Sequence, residues 1–246
     1  MRIPLTILLA AVLSTYAFVT PLPDDDVVDV NADATVHLGL FVPIVAKSGT
    51  VENVTQFLAS AVPLVEAEPK TIQWYAVKYT NFSIPTFAIF DTFRSEEGRV
   101  AHLNGKVVSA LFDNADALLD GAPDIKPAKI VASKVASKPD IGNATAWLTV
   151  GLTIPLTAKP GQVNATREVL VGVLPGIEQE ALTLDWYALE FPDTNSFAII
   201  VFFASEEGRN AHLNGQVAAA LFASAETLLT ALPDVVEFDV VAATIK

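Results

Sequence analysis

Apolar positions along the chain fall into blocks that alternate between strand-like and helical spacing, and the same succession of blocks occurs twice. Val36 to Val45 and Leu148 to Thr157 are apolar, β-branched runs that predict strands. Each run meets a Lys-x-Gly turn, Lys47-Ser-Gly49 or Lys159-Pro-Gly161, and then an amphipathic helix that Pro63 or Pro175 bends or interrupts. Two strands follow, Ile72 to Lys78 and Phe87 to Phe93 in the first copy, joined as a hairpin by a loop whose length differs between the copies. Ser95 or Ser205 then stands as a helix N-cap with two glutamates in the first turn, and a long helical region runs to Leu119 or Leu229. A last strand closes each copy, Ile125 to Ala132 and Val235 to Ala243.

The repetition is explicit in the letters: SEEGRVAHLNGKVVSAL from Ser95 to Leu111 returns as SEEGRNAHLNGQVAAAL from Ser205 to Leu221. Trp74-Tyr-Ala likewise returns as Trp186-Tyr-Ala. The order β-α-β-β-α-β is the split pattern of ferredoxin-like α+β units, whose antiparallel sheet carries helices on one face only. Strands such as Leu148-Thr-Val-Gly-Leu-Thr-Ile are apolar on both faces, so the bare face has to be buried too, and a covalently linked second copy is the obvious cover. The expected organisation is a first repeat at 34–136, a linker at 137–145 and a second repeat at 146–246, closing on each other as an intramolecular pseudo-dimer.

Composition narrows the functional classes. A formal net charge of −13 with no concentrated basic patch argues against nucleic-acid partners and anionic lipid surfaces. The charge is uneven: residues 34–138 carry ten basic and ten acidic side chains, residues 146–246 four basic and twelve acidic. With no cysteine there is no disulfide, thiolate nucleophile or Cys-ligated metal. Arg2 followed by the apolar run through Leu5, Ile7, Leu8, Leu9 and Val12 reads as a signal peptide over 1–17, ahead of an acidic segment at 18–33. Sequons at Asn53, Asn81, Asn143 and Asn164 agree with secretion, and after cleavage of the leader no membrane association is expected.

The pattern Asp91-x-Phe93-x-Ser95-x-Glu97-Gly-Arg-x-Ala101-His102-Leu103, and its echo from Phe203 to Leu213, resembles the antibiotic-biosynthesis-monooxygenase family of dimeric α+β barrels. The resemblance spans nearly the whole chain after the leader, once per repeat. It implies two units packed sheet to sheet, each enclosing a small cleft between its sheet and its helices. It also implies a small aromatic or polyketide-like ligand, and in some members oxygenation without metal or flavin, so no cofactor is expected. The haem-degrading branch places a Trp before the helix, where this chain has Phe93 and Phe203, which speaks against haem degradation.

His102 and His212 stand at the family's helical histidine, and an imidazole that titrates near neutrality suits a general base. Arg99 and Arg209, three residues earlier on the same face, would lower the imidazole pKa or stabilise a phenolate or enolate. Trp74 and Trp186 could stack on an aromatic ligand, and Asn104 and Asn214 could orient its carbonyl. Each assignment has a structural rival. The histidines could simply brace their helix, the tryptophans could be core, and Asn104-Gly105 and Asn214-Gly215 read equally as a helix break. The Glu66/Glu68 and Glu178/Glu180 pairs at the end of the first helix read as solvated turns rather than acid–base partners, and no metal-binding motif is present. Two functions follow: a cofactor-independent monooxygenase or cyclase, or a non-catalytic secreted binding or structural module. The neutral first copy and acidic second copy suggest that one site has lost its role.

Overall fold

The computed structural model describes residues 36–136 and 144–246. The leader, the acidic segment, the Asn143 sequon and most of the linker lie outside the described residues. In the first unit, strand β1 (Leu38–Val45) leads into helices α1 (Val51–Ser60) and α2 (Val62–Glu66). The hairpin β2 (Thr71–Tyr79) and β3 (Thr86–Phe93) follows, then α3 (Glu96–Leu103), α4 (Lys106–Leu118) and β4 (Lys126–Lys134). After a 3-10 turn at Ala144–Ala146, the second unit repeats the order: β5 (Val150–Thr157), α5 (Val163–Gly172), α6 (Leu174–Gln179), β6 (Thr183–Glu190) and β7 (Ser196–Phe203). Helices α7 (Glu206–Leu213) and α8 (Gln216–Leu228) and strand β8 (Val236–Ile245) complete it.

The helix punctuation has local causes. Pro63 and Pro175 sit in the first turn of α2 and α6, where a missing N–H leaves no hydrogen bond unmade. Ser95 caps α3 by accepting from the Gly98 N–H at 3.2 Å, whereas Ser205 has the same extended backbone without that bond. The long helix expected after each serine is two helices, broken at Asn104-Gly105 and Asn214-Gly215. Among the described residues no helix is long and apolar enough to cross a membrane.

Within each unit the strands run in the order β4-β1-β3-β2 and β8-β5-β7-β6, with antiparallel neighbours throughout. The outer strands then cross over: β2 pairs with β8 and β4 with β6, so all eight strands close into one barrel with no free edge. Closure packs the bare sheet faces against each other, giving the intramolecular dimeric α+β barrel that the two-faced hydrophobicity demands.

Alternation along the strands divides the core. Tyr75, Tyr79, Phe90, Tyr187, Phe202 and Phe238 fill the barrel interior, and Tyr75 stacks on Phe202 with ring centres 4.2 Å apart. Their neighbours in sequence point to the helices: Trp74, Phe87 and Ile89 meet Val54, Leu58 and Leu111 in the first unit, and Trp186, Ile199 and Val201 meet Leu170, Ile177 and Leu221 in the second. Within the second sheet the strands crowd at Gly151 of β5, where a Cβ would overlap the Val201 carbonyl of β7 and the Phe238 ring of β8.

One polar cluster crosses this interior. Asp185, fully buried, stands in β6 where β2 has Gln73. Its Oδ2 accepts from the Tyr75 hydroxyl at 2.7 Å and its Oδ1 from the Ala136 N–H at 3.0 Å, while the Tyr75 and Tyr187 hydroxyls lie 2.7 Å apart. Burial pushes the Asp185 carboxyl up to about 6, with the Tyr75 hydrogen bond pulling the other way. Asp185 thereby ties the end of β4 and the centre of β2 to the second unit. Tyr75→Phe removes its buried donor, and urea unfolding should show a loss of about 1–3 kcal/mol; an unchanged midpoint would show that the cluster contributes nothing to the interface.

Candidate functional site

The cleft between sheet and helices in the first unit gathers the chemistry. His102 lies in the last turn of α3 and is 3% exposed. Its Nδ1–H donates to Glu68 Oε2 at 2.6 Å, and Thr71 Oγ1 donates to the same oxygen at 2.9 Å. On the other side of the ring, Nε2 stands 3.5 Å from Oδ2 of Asp91, a residue of β3 that is 1% exposed. The imidazole is therefore held between two carboxylates from different elements. Phe93 packs against the ring with centres 5.4 Å apart.

Glu68 reaches this position because the chain is locally thin. Gly105 begins α4 at the break after α3, and a Cβ there would overlap Glu68 Oε1. The glutamate read from sequence as part of a solvated turn is thus a buried-side partner of the histidine, and the helix break makes room for it. Support also arrives from the second unit: Lys246, just beyond β8, donates through Nζ to the carbonyls of Val65, at 2.7 Å, and Glu68 at the end of α2. Lys134, at the end of β4, does the same for Ile177 and Glu180 in the second unit, at 3.0 and 2.8 Å.

These contacts set the titration behaviour. Burial pushes the Asp91 carboxyl up to about 7, with the His102 charge opposing. Burial also disfavours the charged form of His102, but Asp91 and Glu68 together outweigh it and hold the imidazole above its ordinary value. Burial raises the Glu68 carboxyl while the His102 hydrogen bond and charge lower it, and the net is a fall. Asp91 and His102 thus lie close enough for the charge of each to shift the other, and both are held above their ordinary values.

Asp91 and His102 line a cavity of about 20 Å3 together with Leu40, Val42, Leu58, Trp74, Ile89 and Leu111. That is room for a water molecule. Among the described residues no group of three or more His, Asp, Glu or Cys side chains has the geometry to hold a metal ion.

The second unit keeps half of the arrangement. His212 Nδ1–H donates to Glu180 Oε2 at 2.6 Å, Thr183 supports the same carboxylate, and Phe203 packs on the ring. Opposite Trp186, however, the position of Asp91 is taken by Val201, so the second carboxylate is missing.

The other expected site residues are scattered. Arg99, fully buried, bonds Glu96 at 2.9 Å and is not among the residues lining the cavity; Arg209 bonds Glu206 at 2.7 Å and faces Glu237 at 3.4 Å. The cation acting on His102 is Lys246, and the imidazole pKa is raised rather than lowered because two carboxylates lie nearer. Trp74 lines the cavity and Trp186 packs in the helix-side core of the second unit. Asn104 and Asn214 are exposed at the helix ends, each donating to the carbonyl four residues back, at 2.8 Å. The sequons Asn53, Asn81 and Asn164 are exposed.

No protein-family profile matches the sequence, and no curated protein matches it significantly. Solved structures do. A candidate monooxygenase from Fusobacterium nucleatum is 11% identical, with a TM-score of 0.74 covering 86% of this chain and 95% of its own. An anthrone oxidase-like protein is 9% identical, with a TM-score of 0.56 covering 85% of this chain and 92% of its own. A protein of unknown function from Nitrosomonas europaea is 41% identical and covers 42% of this chain and 98% of its own, with a TM-score of 0.39. The first two likenesses are likenesses of fold.

The buried pair makes stability depend on pH in a definite direction. Asp91 ionises near 3.8 when unfolded and near 7 when folded, so its contribution is complete below the lower value and is lost as pH rises through the upper one. His102, also raised, acts with the same sign, its share lost as pH rises through its folded value. Unfolding free energy from urea titrations should therefore fall between about pH 4 and 7, and fall less steeply in Asp91→Asn. Identical slopes in the two proteins would show that Asp91 keeps an ordinary pKa.

Proposed function

We propose that this chain, which has the antibiotic-biosynthesis-monooxygenase-like dimeric α+β barrel fold, is a secreted, cofactor-independent monooxygenase-like protein. It acts on a small aromatic or polyketide-like compound in the cleft of its first unit. The observation that carries this reading is His102, buried between Glu68 and Asp91 at the wall of an otherwise apolar cleft. A charge-coupled pair in such a place suits removal of a proton from a weakly acidic hydroxyl or C–H group. Glu68 fixes the ring through Nδ1, leaving Nε2 and Asp91 to face the proton donor. The carbanion so formed passes electrons to dioxygen and forms a C–O bond; loss of water from the hydroperoxide leaves a carbonyl, with dioxygen the sole oxidant.

Secretion rests on the apolar leader and the sequons, with Asn53, Asn81 and Asn164 all exposed for modification. The small cavity favours a second reading. At about 20 Å3 it admits a hydroxyl but not a ring, so an aromatic substrate enters only when α1–α2 and α4 part. A unit that never opens would be a non-catalytic binding or structural module.

Anthrone, the compound in the name of one structural neighbour, serves as a first substrate. Oxygen uptake by the purified protein should accompany formation of anthraquinone, and His102→Gln should lower the rate by about 100-fold or more. An equal loss from His212→Gln would put a second active cleft in the second unit. No uptake with anthrone or related hydroxylated tricyclic compounds would favour the non-catalytic module.

A further inference from the structure

Of the buried polar atoms around the first cleft that have no partner, Glu68 Oε1 lies against Gly105, and the other two belong to cavity-lining residues: the acceptor Asp91 Oδ1 and the donor Trp74 Nε1. The two side chains belong to residues paired directly across β2 and β3, each 1% exposed, and both line the same cavity. Leaving either atom unpaired in an apolar setting is costly, and residues paired across two strands on the wall of one cavity can be served by a common partner. A hydroxyl group supplies it, because one oxygen donates to the carboxylate and accepts from the indole N–H. An ammonium cannot accept from Trp74, and an ether or carbonyl cannot donate to Asp91.

The second unit shows what happens without the acceptor. Trp186 is kept, but its cross-strand neighbour is Val201, and it packs among the apolar side chains of the helix-side core. The two clefts therefore differ in the one atom a donor would need, although both keep a histidine bonded to a glutamate.

We propose that Asp91 and Trp74 form a hydroxyl-recognising pair that selects the ligand of the first cleft, and that the Val201 cleft lacks this subsite, so each chain takes one such ligand. This rests on the first cleft being the functional site, and it adds which side chains read the ligand and how many ligands bind.

The test is isothermal titration of the full chain with 2-naphthol and with 2-methoxynaphthalene, which keeps the rings and the acceptor but cannot donate. The unsubstituted protein should bind 2-naphthol one to one and about 10-fold or more tighter than the ether. Asp91→Val installs the residue that the second unit already carries at this position, and it should bring the two affinities within about 3-fold of each other. Trp74→Phe removes the donor and keeps a ring, so it should weaken both compounds. Retention of near-native thermal unfolding identifies the variants whose binding can be compared, and either variant suffices. Two equivalents of 2-naphthol, equal affinity of the unsubstituted protein for the two compounds, or no binding of 2-naphthol would overturn the proposal. Oxygen uptake on anthrone is a separate readout: uptake without hydroxyl selectivity keeps the enzyme and discards the pair, and selectivity without uptake keeps the pair and discards the enzyme.

Discussion

Each half of this chain builds a four-stranded sheet that is apolar on both faces, and everything else follows from having to bury both. Helices cover one face of each sheet, and the other face of each is covered by the other copy. Covalent linkage makes that encounter intramolecular, which removes the translational cost a two-chain barrel would carry. Exchange of the edges, β2 with β8 and β4 with β6, adds backbone hydrogen bonds to the apolar contact and leaves no edge open to aggregation. Aromatic rings pack the interior, and the cavity beside His102 lies on the helix side.

Exchange also couples the units at the candidate site. The last strand of each unit carries a lysine across to the helix end that holds the other unit's glutamate, Lys246 beside Glu68 and Lys134 beside Glu180. The turn that carries each histidine's glutamate is therefore tied to both units. Against this symmetric background, the replacement of Asp91 by Val201 stands out. A buried carboxylate lowers stability at neutral pH, and the second unit shows that the fold manages without one at this position. Its presence in the first unit is better explained by chemistry than by folding.

Much of this is legible in the sequence. The doubled strand–helix pattern and the repeated SEEGR block show two units and their pairing, and Pro63 and Pro175 mark where the first helix of each breaks. Asn104-Gly105 leaves helix break and ligand contact open; the structure shows the break, and its reason is tertiary, since Gly105 gives way to a side chain from another element. Glu68 is misread for the same cause. Its local setting is a polar turn, and its partner is 34 residues away. Asp91 leaves a clearer signal, a lone acid in the apolar strand Thr86–Phe93 where the second copy has Val201, but only the pairing of β2 with β3 sets it beside Trp74. Asp185 gives no such signal, because its partner tyrosine comes from the other unit.

The chemistry of the first unit turns on the closeness of His102 and Asp91. The chain has three histidines, so imidazole resonances can be followed singly by NMR across the neutral range. His102 should titrate above the ordinary histidine value, and Asp91→Val should lower its midpoint. A His102 curve at or below the ordinary value, unmoved by the loss of Asp91, would contradict this pairing.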